Sequence, residues 1–263
     1  MTRIKELPIA RRLIGELQSE IVKGTNDETY DSGDLRQRQV YIGPKDRPVE
    51  EARFIPPPNG PLLERGFDDW EEWINAKLDI PIVIKMALGH YQFETLHPYA
   101  NGNGRLGRLI GLLQLVEDGS LSYPILNLSA WFEVRRTEYV DGLLRVTRTG
   151  DFDSWIQFYA EGVLAQAEAG VSTIIALEKF KEQTLTTLHE ARVRGAAIDI
   201  AQSLIGYPII NVTIARTMTG RTFEATNQAV AKLVEKGILE EITGRSVNRL
   251  FVCRPVLAIV RGN

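Results

Sequence analysis

Two segments of this chain, Pro81–Leu96 and Leu106–Val116, are apolar on nearly every face, and only nine residues separate them. Helices of that kind cannot lie on a surface. They belong at the centre of a bundle, packed on all sides. The joint between them reads "LHPYANGNGRLGRL", Leu96 to Leu109, with one histidine, two asparagines, a proline, three glycines and two arginines. A helical core whose two central members meet at a polar, glycine-rich turn is therefore the strongest constraint on the fold.

The rest of the chain supplies the surround. Leu7 to Val22 carries Leu13, Ile14, Leu17 and Ile21 at helical spacing and stops at Gly24, before a polar loop from Thr25 to Asp34. The short runs "QVYIG" (Gln39–Gly43) and "ARFIPP" (Ala52–Pro57) flank a charged turn and read as a β-hairpin, closed off by Pro56, Pro57 and Pro58. Further helices are predicted over Asp68–Leu78, with Trp70, Trp73 and Ile74 inward, and over Leu128–Val146, Asp153–Ala165 and Val171–Val193. Beyond about Arg194 the texture changes to helix, turn, helix and a two-stranded hairpin around Thr243–Asn248. The expected fold is mainly α: a helical bundle with a β-hairpin at residues 39–57, over residues 1–190, and a small C-terminal domain over residues 191–263.

Composition narrows the classes. One cysteine, Cys253, in 263 residues excludes an internal disulfide and any CxxC metal site, and fits a reducing, cytoplasmic setting. No run approaches the ~18 apolar residues of a membrane span, and the charged start "MTRIKELPIARRLIGELQ" is not a secretory leader. Net charge is −3, unevenly spread: residues 206–263 carry +4 and the remainder −7.

The joint carries the chemistry. A glycine-bearing turn entering a helix leaves free backbone N–H groups and the positive end of the helix dipole aimed at one spot, which suits phosphate. Arg105 and Arg108 stand at i and i+3, on one face of the first turn, where they oppose that dipole. Either a polyanion lies across the helix start, or acidic residues from elsewhere pair with them. His97 stands just upstream. With an ordinary pKa of ~6.5, a histidine beside a phosphate cradle can take a proton from an attacking hydroxyl; alone, it would read as a residue that ends its helix. His90 and His189 read as structural. His90, Glu94 and His97 also share a helical spacing that can bind metal, a pattern that chance supplies readily.

"HPYANGNGRLGR" resembles the signature of Fic-domain proteins, HPFx[D/E]GNGRxxR, with His97, Pro98, Gly102, Asn103, Gly104, Arg105 and Arg108 in register. The likeness continues in "GDLRQRQVYIG", "RFIPPP", "ALGHYQFETLHP" and "GDFDSWIQFYAEGV", covering roughly Lys5 to Val171. The resemblance implies an AMP transfer from ATP to a protein Ser, Thr or Tyr hydroxyl. It makes His97 the general base and gives the phosphates to Gly102, Asn103, Gly104, Arg105 and Arg108. Adenine would lie near Tyr139. The hairpin, with Val40, Tyr41, Ile42 and Phe54, would be a flap that holds a target segment by strand addition. ATP is the implied donor, with Mg²⁺ or Mn²⁺. The same fold elsewhere moves UMP, phosphocholine or phosphoryl groups.

Two positions depart from the pattern. Tyr99 replaces an inward Phe, so its hydroxyl needs a partner if buried. Asn101 stands where the family has the Asp or Glu that binds Mg²⁺. It is the metal candidate here, and the lost charge predicts weakened metal binding and slowed or altered transfer. The family's inhibitory helix motif, [S/T]xxxE[G/N], occurs at neither end, so a separate inhibitory partner, a truncated chain or a different regulation is expected.

In the C-terminal stretch, "TFEATNQAVAKLVEKGILEE" resembles a winged-helix recognition helix, with Thr222, Glu224, Thr226, Asn227 and Gln228 toward a DNA groove and Arg245 and Arg249 in the wing. The alternative use of such a module is dimerisation or protein docking, which makes a homodimer a second expectation. Two functions follow: a protein adenylyltransferase, or a nucleotide-sensing DNA-binding regulator without turnover.

Overall fold

The computed structural model describes residues 8–43 and 47–262. The fold is mainly α, and it divides into two compact units between Ala167 and Glu168. That division falls inside one long helix, where the sequence reading sets it at 190/191.

The first unit is built around the two apolar segments. Helix α1 (Arg11–Val22) is followed by α2 (Pro61–Asn75), α3 (Ile82–Leu96) and α4 (Asn103–Glu117). The predicted start of α1 at Leu7 lies outside the described residues. Helices α3 and α4 pack on each other and contribute to two core clusters. Phe93 and Leu96 of α3, with Leu106 and Ile110 of α4, join Phe67, Trp70 and Ile74 of α2 in one cluster. Met86 and Ala87 of α3, with Leu115 of α4, enter a second cluster of Phe132, Tyr139, Trp155 and Tyr159. All-round apolarity thus means what it predicted, a central pair that packs into both clusters, although Gln92 of α3 reaches solvent. Two indole N–H groups anchor on α3 carbonyls, Trp70 on Gly89 at 2.9 Å and Trp155 on Ala87 at 2.8 Å, so neither buried ring leaves a donor unpaired.

The predicted helix Leu128–Val146 is two, α5 (Leu128–Val134) and α6 (Arg136–Thr149), broken at Arg135 with φ −109° and ψ 33°. The break lets Phe132 and Tyr139 meet at 4.9 Å between ring centroids, seven residues apart in sequence. Conversely, the segments expected as two helices form one, α7 (Phe152–Glu190). Gly170 costs a helix only about 1 kcal/mol, and the alanines of "LAQAEAG" favour continuation. The hairpin exists in reduced form. Ile42 and Phe54 make a single antiparallel bridge, the chain between them includes a 3₁₀ turn at Val49–Glu51, and residues 44–46 lie outside the described residues.

The second unit holds the end of α7, then α8 (Ala196–Ser203), β1 (Ile209–Ile210), α9 (Val212–Thr219), α10 (Phe223–Glu235), β2 (Glu240–Glu241), β3 (Phe251–Val252) and α11 (Arg254–Arg261). The strands form an antiparallel sheet in the order β1-β3-β2. Asn211 and Thr222 cap α9 and α10 through side-chain oxygens on the N–H groups of Ile214 and Ala225. Ile200, Ile210, Ala215, Val230, Leu233 and Phe251 form its core. One expectation fails here. Thr226 is fully buried, its hydroxyl on the Thr222 carbonyl at 2.9 Å, so it cannot face a groove. Thr222, Glu224 and Gln228 are exposed, whereas Asn227 accepts from Arg249 at 2.9 Å.

Candidate active site

The chain leaves α3 at His97, whose backbone is left-handed (φ 46°, ψ 58°) and whose N–H still closes the last turn on Phe93. Pro98 cannot extend the helix. The chain enters α4 at Gly102, also left-handed (φ 80°), where a Cβ would meet Val22 at 2.9 Å; glycine is needed on both counts. Asn103, buried, ties the turn together by donating to the Tyr99 carbonyl at 2.8 Å and accepting from the Tyr99 N–H at 3.0 Å. Its side chain is therefore spent on the turn, and what remains for a ligand is backbone. The first N–H groups of α4 have no acceptor four residues back, and no side chain caps them. The geometry of an anion site is in place.

A second clamp holds the same turn from outside. Arg36, one of the largest fully buried side chains, donates to the carbonyls of His97 (2.8 Å), Pro57 (2.5 Å), Arg38 (3.2 Å) and Leu96 (3.4 Å), and its own N–H reaches Pro98 (2.9 Å). Burial holds its pKa below the usual arginine value. Nothing in the spacing of "GDLRQRQ" singles this residue out; only the fold reveals the carbonyls it gathers.

Around His97 lies a buried polar cluster. Burial, and to a lesser extent Arg36, lowers the His97 pKa to about 4, so the imidazole is neutral near pH 7. Its Nδ1 is buried without a hydrogen-bond partner. Glu94, one turn back on α3, brings Oε2 to 3.9 Å from that nitrogen. Burial raises the Glu94 pKa to about 7, and Arg108 works against the rise. His90 is buried, with Nε2 2.8 Å from the Tyr139 hydroxyl and its pKa lowered to about 4 by burial. The metal-triad arrangement does not form. His90 spends its Nε2 on Tyr139, His97 has left the helix, and no group of three His, Cys, Asp or Glu that could hold a metal ion is found among the described residues.

The two arginines part company. Arg108 stays at the site, its Nε donating to Ser129 Oγ of α5 at 2.9 Å. Arg105 turns toward the loop after α1, where it pairs with Asp27 at 2.5 Å and donates to the Ile21 carbonyl at 3.3 Å. For Arg105 the pairing alternative is the one realised. Asn101 lies on that side too: its Nδ2 donates to the Asp27 carbonyl at 3.0 Å, and its own carbonyl accepts from Gln18 at 3.0 Å. As a Mg²⁺ site this turn fits poorly. It offers one neutral amide oxygen beside the Arg105 cation, where a hard divalent ion favours carboxylate.

A cavity of about 270 Å³ brings the pieces together, lined by His97, Glu94, Gly104, Arg108, Tyr139 and the hairpin residues Ile42 and Phe54. Helix α6 adds the apolar wall, Val140, Leu143 and Leu144. Tyr139 belongs to that wall with its hydroxyl turned to His90 rather than free for a ligand. An ion pair between Arg53 of the hairpin and Asp141 of α6, at 2.5 Å, crosses the rim. Among the other hairpin residues, Tyr41 is exposed and Val40 half-buried.

Residues 8–115 match the family described as Fic/DOC family. Over that stretch the chain is similar to Fic-domain proteins. The chain is similar to the protein adenylyltransferase fic-1 of Caenorhabditis elegans, 24% identical over 181 residues that cover 68% of this chain and 32% of that protein. It is also similar to the protein adenylyltransferase Fic of Culex quinquefasciatus, 29% identical over 157 residues covering 59% of this chain and 26% of that protein. The chain thus spans about a third or less of the length of these curated relatives. In fold it resembles a Fic family protein from Desulfovibrio desulfuricans G20, with a TM-score of 0.56 at 17% identity, covering 96% of this chain and 71% of that one.

Proposed function

We propose that the chain transfers AMP from ATP to a hydroxyl of a protein side chain. One observation carries the reading: the His97 imidazole lines the same cavity as the first turn of α4 and Arg108. The triphosphate lies on the free N–H groups of Asn103, Gly104 and Arg105, with Arg108 on its terminal phosphates. The apolar wall of α6 receives the adenine, beside Tyr139. The target hydroxyl enters along the hairpin, whose edge aligns it by backbone hydrogen bonds. His97 Nε2 takes the hydroxyl proton as its oxygen attacks the α-phosphorus, and pyrophosphate leaves toward α4 and Arg108. A neutral His97 at pH 7, enforced by burial, supports the role of base.

Incubation with ATP labelled at the α-phosphate, alone and in cell lysate, tests this. Label on protein that disappears in His97→Ala is the expected result. Tight ATP binding without any label, in either variant, points to the second reading, a nucleotide sensor. The neutral Asn101 and the Arg105–Asp27 pair are the observations that favour that alternative.

The second unit, with α9, α10 and the β2–β3 connection, is read as a winged helix that binds DNA through exposed Thr222, Glu224, Gln228 and Arg245. Support comes from its two capped helices and its excess of positive charge. A mobility shift that falls steeply with salt is expected.

A further inference from the structure

Two buried groups that line the cavity, the His97 imidazole and the Glu94 carboxyl, stand side by side, and the imidazole nitrogen nearer the carboxyl has no hydrogen-bond partner. His97 Nδ1 is unpartnered, and Glu94, at most 9% exposed, points its carboxyl at it from 3.9 Å. The pair lies outside hydrogen-bond length, yet both groups line the cavity, so a turn of the carboxyl closes the gap. Glu94 Oε1 is likewise unpartnered. A buried carboxyl in a largely apolar helix is costly unless it has a charge or donor to meet.

We propose that Glu94 is the positioning residue of His97. Its carboxyl accepts the Nδ1–H, fixing the tautomer that leaves Nε2 bare toward the cavity, and balances the imidazolium formed when Nε2 takes a proton. The inference rests on the reading of His97 as base and names the group that makes it one. No bond beyond that proton transfer is involved: the hydroxyl proton moves to Nε2, and the Nδ1 proton stays on its nitrogen.

The neighbours set the charge of Glu94. Arg108 on α4 favours its ionised form, and Tyr139 on α6 contributes a hydroxyl. His90 stands 3.9 Å away on α3 itself, and Arg36 bears on His97 from the opposite side. Helix α4 leaves room for the carboxyl with Gly107, where a Cβ would stand 2.8 Å from Oε1. With burial holding Glu94 near pH 7, the fraction able to balance the imidazolium grows through neutrality. Transfer then rises on a limb near that pH.

The competing holder of the tautomer is the Glu94 main-chain carbonyl, which faces the same ring. Nitrogen-15 NMR of the imidazoles, with the His97 signals assigned through His97→Ala, separates the two. The full chain is expected to show a protonated Nδ1 and a bare Nε2. In Glu94→Ala and Glu94→Gln, the alanine variant is expected to lose that single tautomer and the glutamine variant to keep it. Both are expected to lower kcat for AMP transfer by roughly 10- to 100-fold at unchanged KM for ATP, and both to lose the limb near pH 7. A protonated Nε2 in the unaltered chain overturns the proposal, with no variant needed. So does an unchanged tautomer in a folded Glu94→Ala, which assigns the work to the main chain. If the tautomers behave as expected while the unaltered chain transfers no AMP, the enzyme reading fails and the positioning role stands.

Discussion

Arg36, Tyr99 and Asp27 decide how the joint behaves, and none of them could have been ranked from spacing alone. Arg36 does by carbonyl contacts what a carboxylate partner does elsewhere, locking the backbone of His97. Tyr99 is buried and its hydroxyl has no partner; burial pushes its pKa well up. The sequence reading asked for a partner, and the structure supplies none among the described residues. Tyr99→Phe removes that unpaired hydroxyl, so it is expected to stabilise the chain by about 1 kcal/mol, a rise in Tm of about 2–4 °C by thermal unfolding. Asp27 holds Arg105 away from the phosphate turn by an exposed ion pair, which is weak. Asp27→Asn frees the guanidinium and is expected to lower the Kd for ATP by about two- to fivefold in titration calorimetry. An unchanged Kd would mean that the Arg105 guanidinium takes no part in ATP binding.

At the scale of elements, the periodicity and turn chemistry were legible where one face or one cap decides the outcome. The central pair α3 and α4 and the start of α4 at the glycine turn were readable from residue types. Helix α7 was misread because Gly170 looks like a stop, while continuity depends on the sum of weak propensities around it. The α5–α6 break and the burial of Thr226 depend on which face meets the core, and spacing does not fix that. Glycines in α4 carry a tighter constraint: at Gly111 a Cβ would stand 2.6 Å from the buried Tyr159 hydroxyl. Gly111→Ala therefore forces α4 away from α7 and is expected to cost about 1–3 kcal/mol in denaturant unfolding, despite alanine's better helix propensity.

Across the whole molecule, the buried cluster writes itself into stability against pH. His90 and His97 titrate at about 4 in the folded chain and at 6.5 when unfolded, so the unfolded state binds more protons between those values. Stability must rise with pH through that window. Glu94 acts in the opposite sense: raised from 4.5 to about 7, it favours the folded state at the acid end and loses that contribution as pH rises. Two histidines outweigh one carboxyl. The Tm is expected to climb from pH 4.5 to 6.5, and to climb more steeply in Glu94→Gln, where the opposing group is gone. The sequence located this cluster, since His90, Glu94 and His97 stand in one short segment, but left a metal open as a minor alternative to a structural His90 and a catalytic His97. What decided otherwise is tertiary: Tyr139 arrives from α6 to take His90, and His97 leaves the helix.

The central claim is that the cavity at the joint is a nucleotide's seat with His97 over the reactive phosphorus. A crystal structure of the His97→Ala variant soaked with ATP tests it most directly. The expected map places the α-phosphate beside position 97, the outer phosphates on the N–H groups of Asn103 to Arg105 with Arg108, and adenine against α6. A triphosphate bound elsewhere, or a cavity empty at saturating ATP, would contradict it.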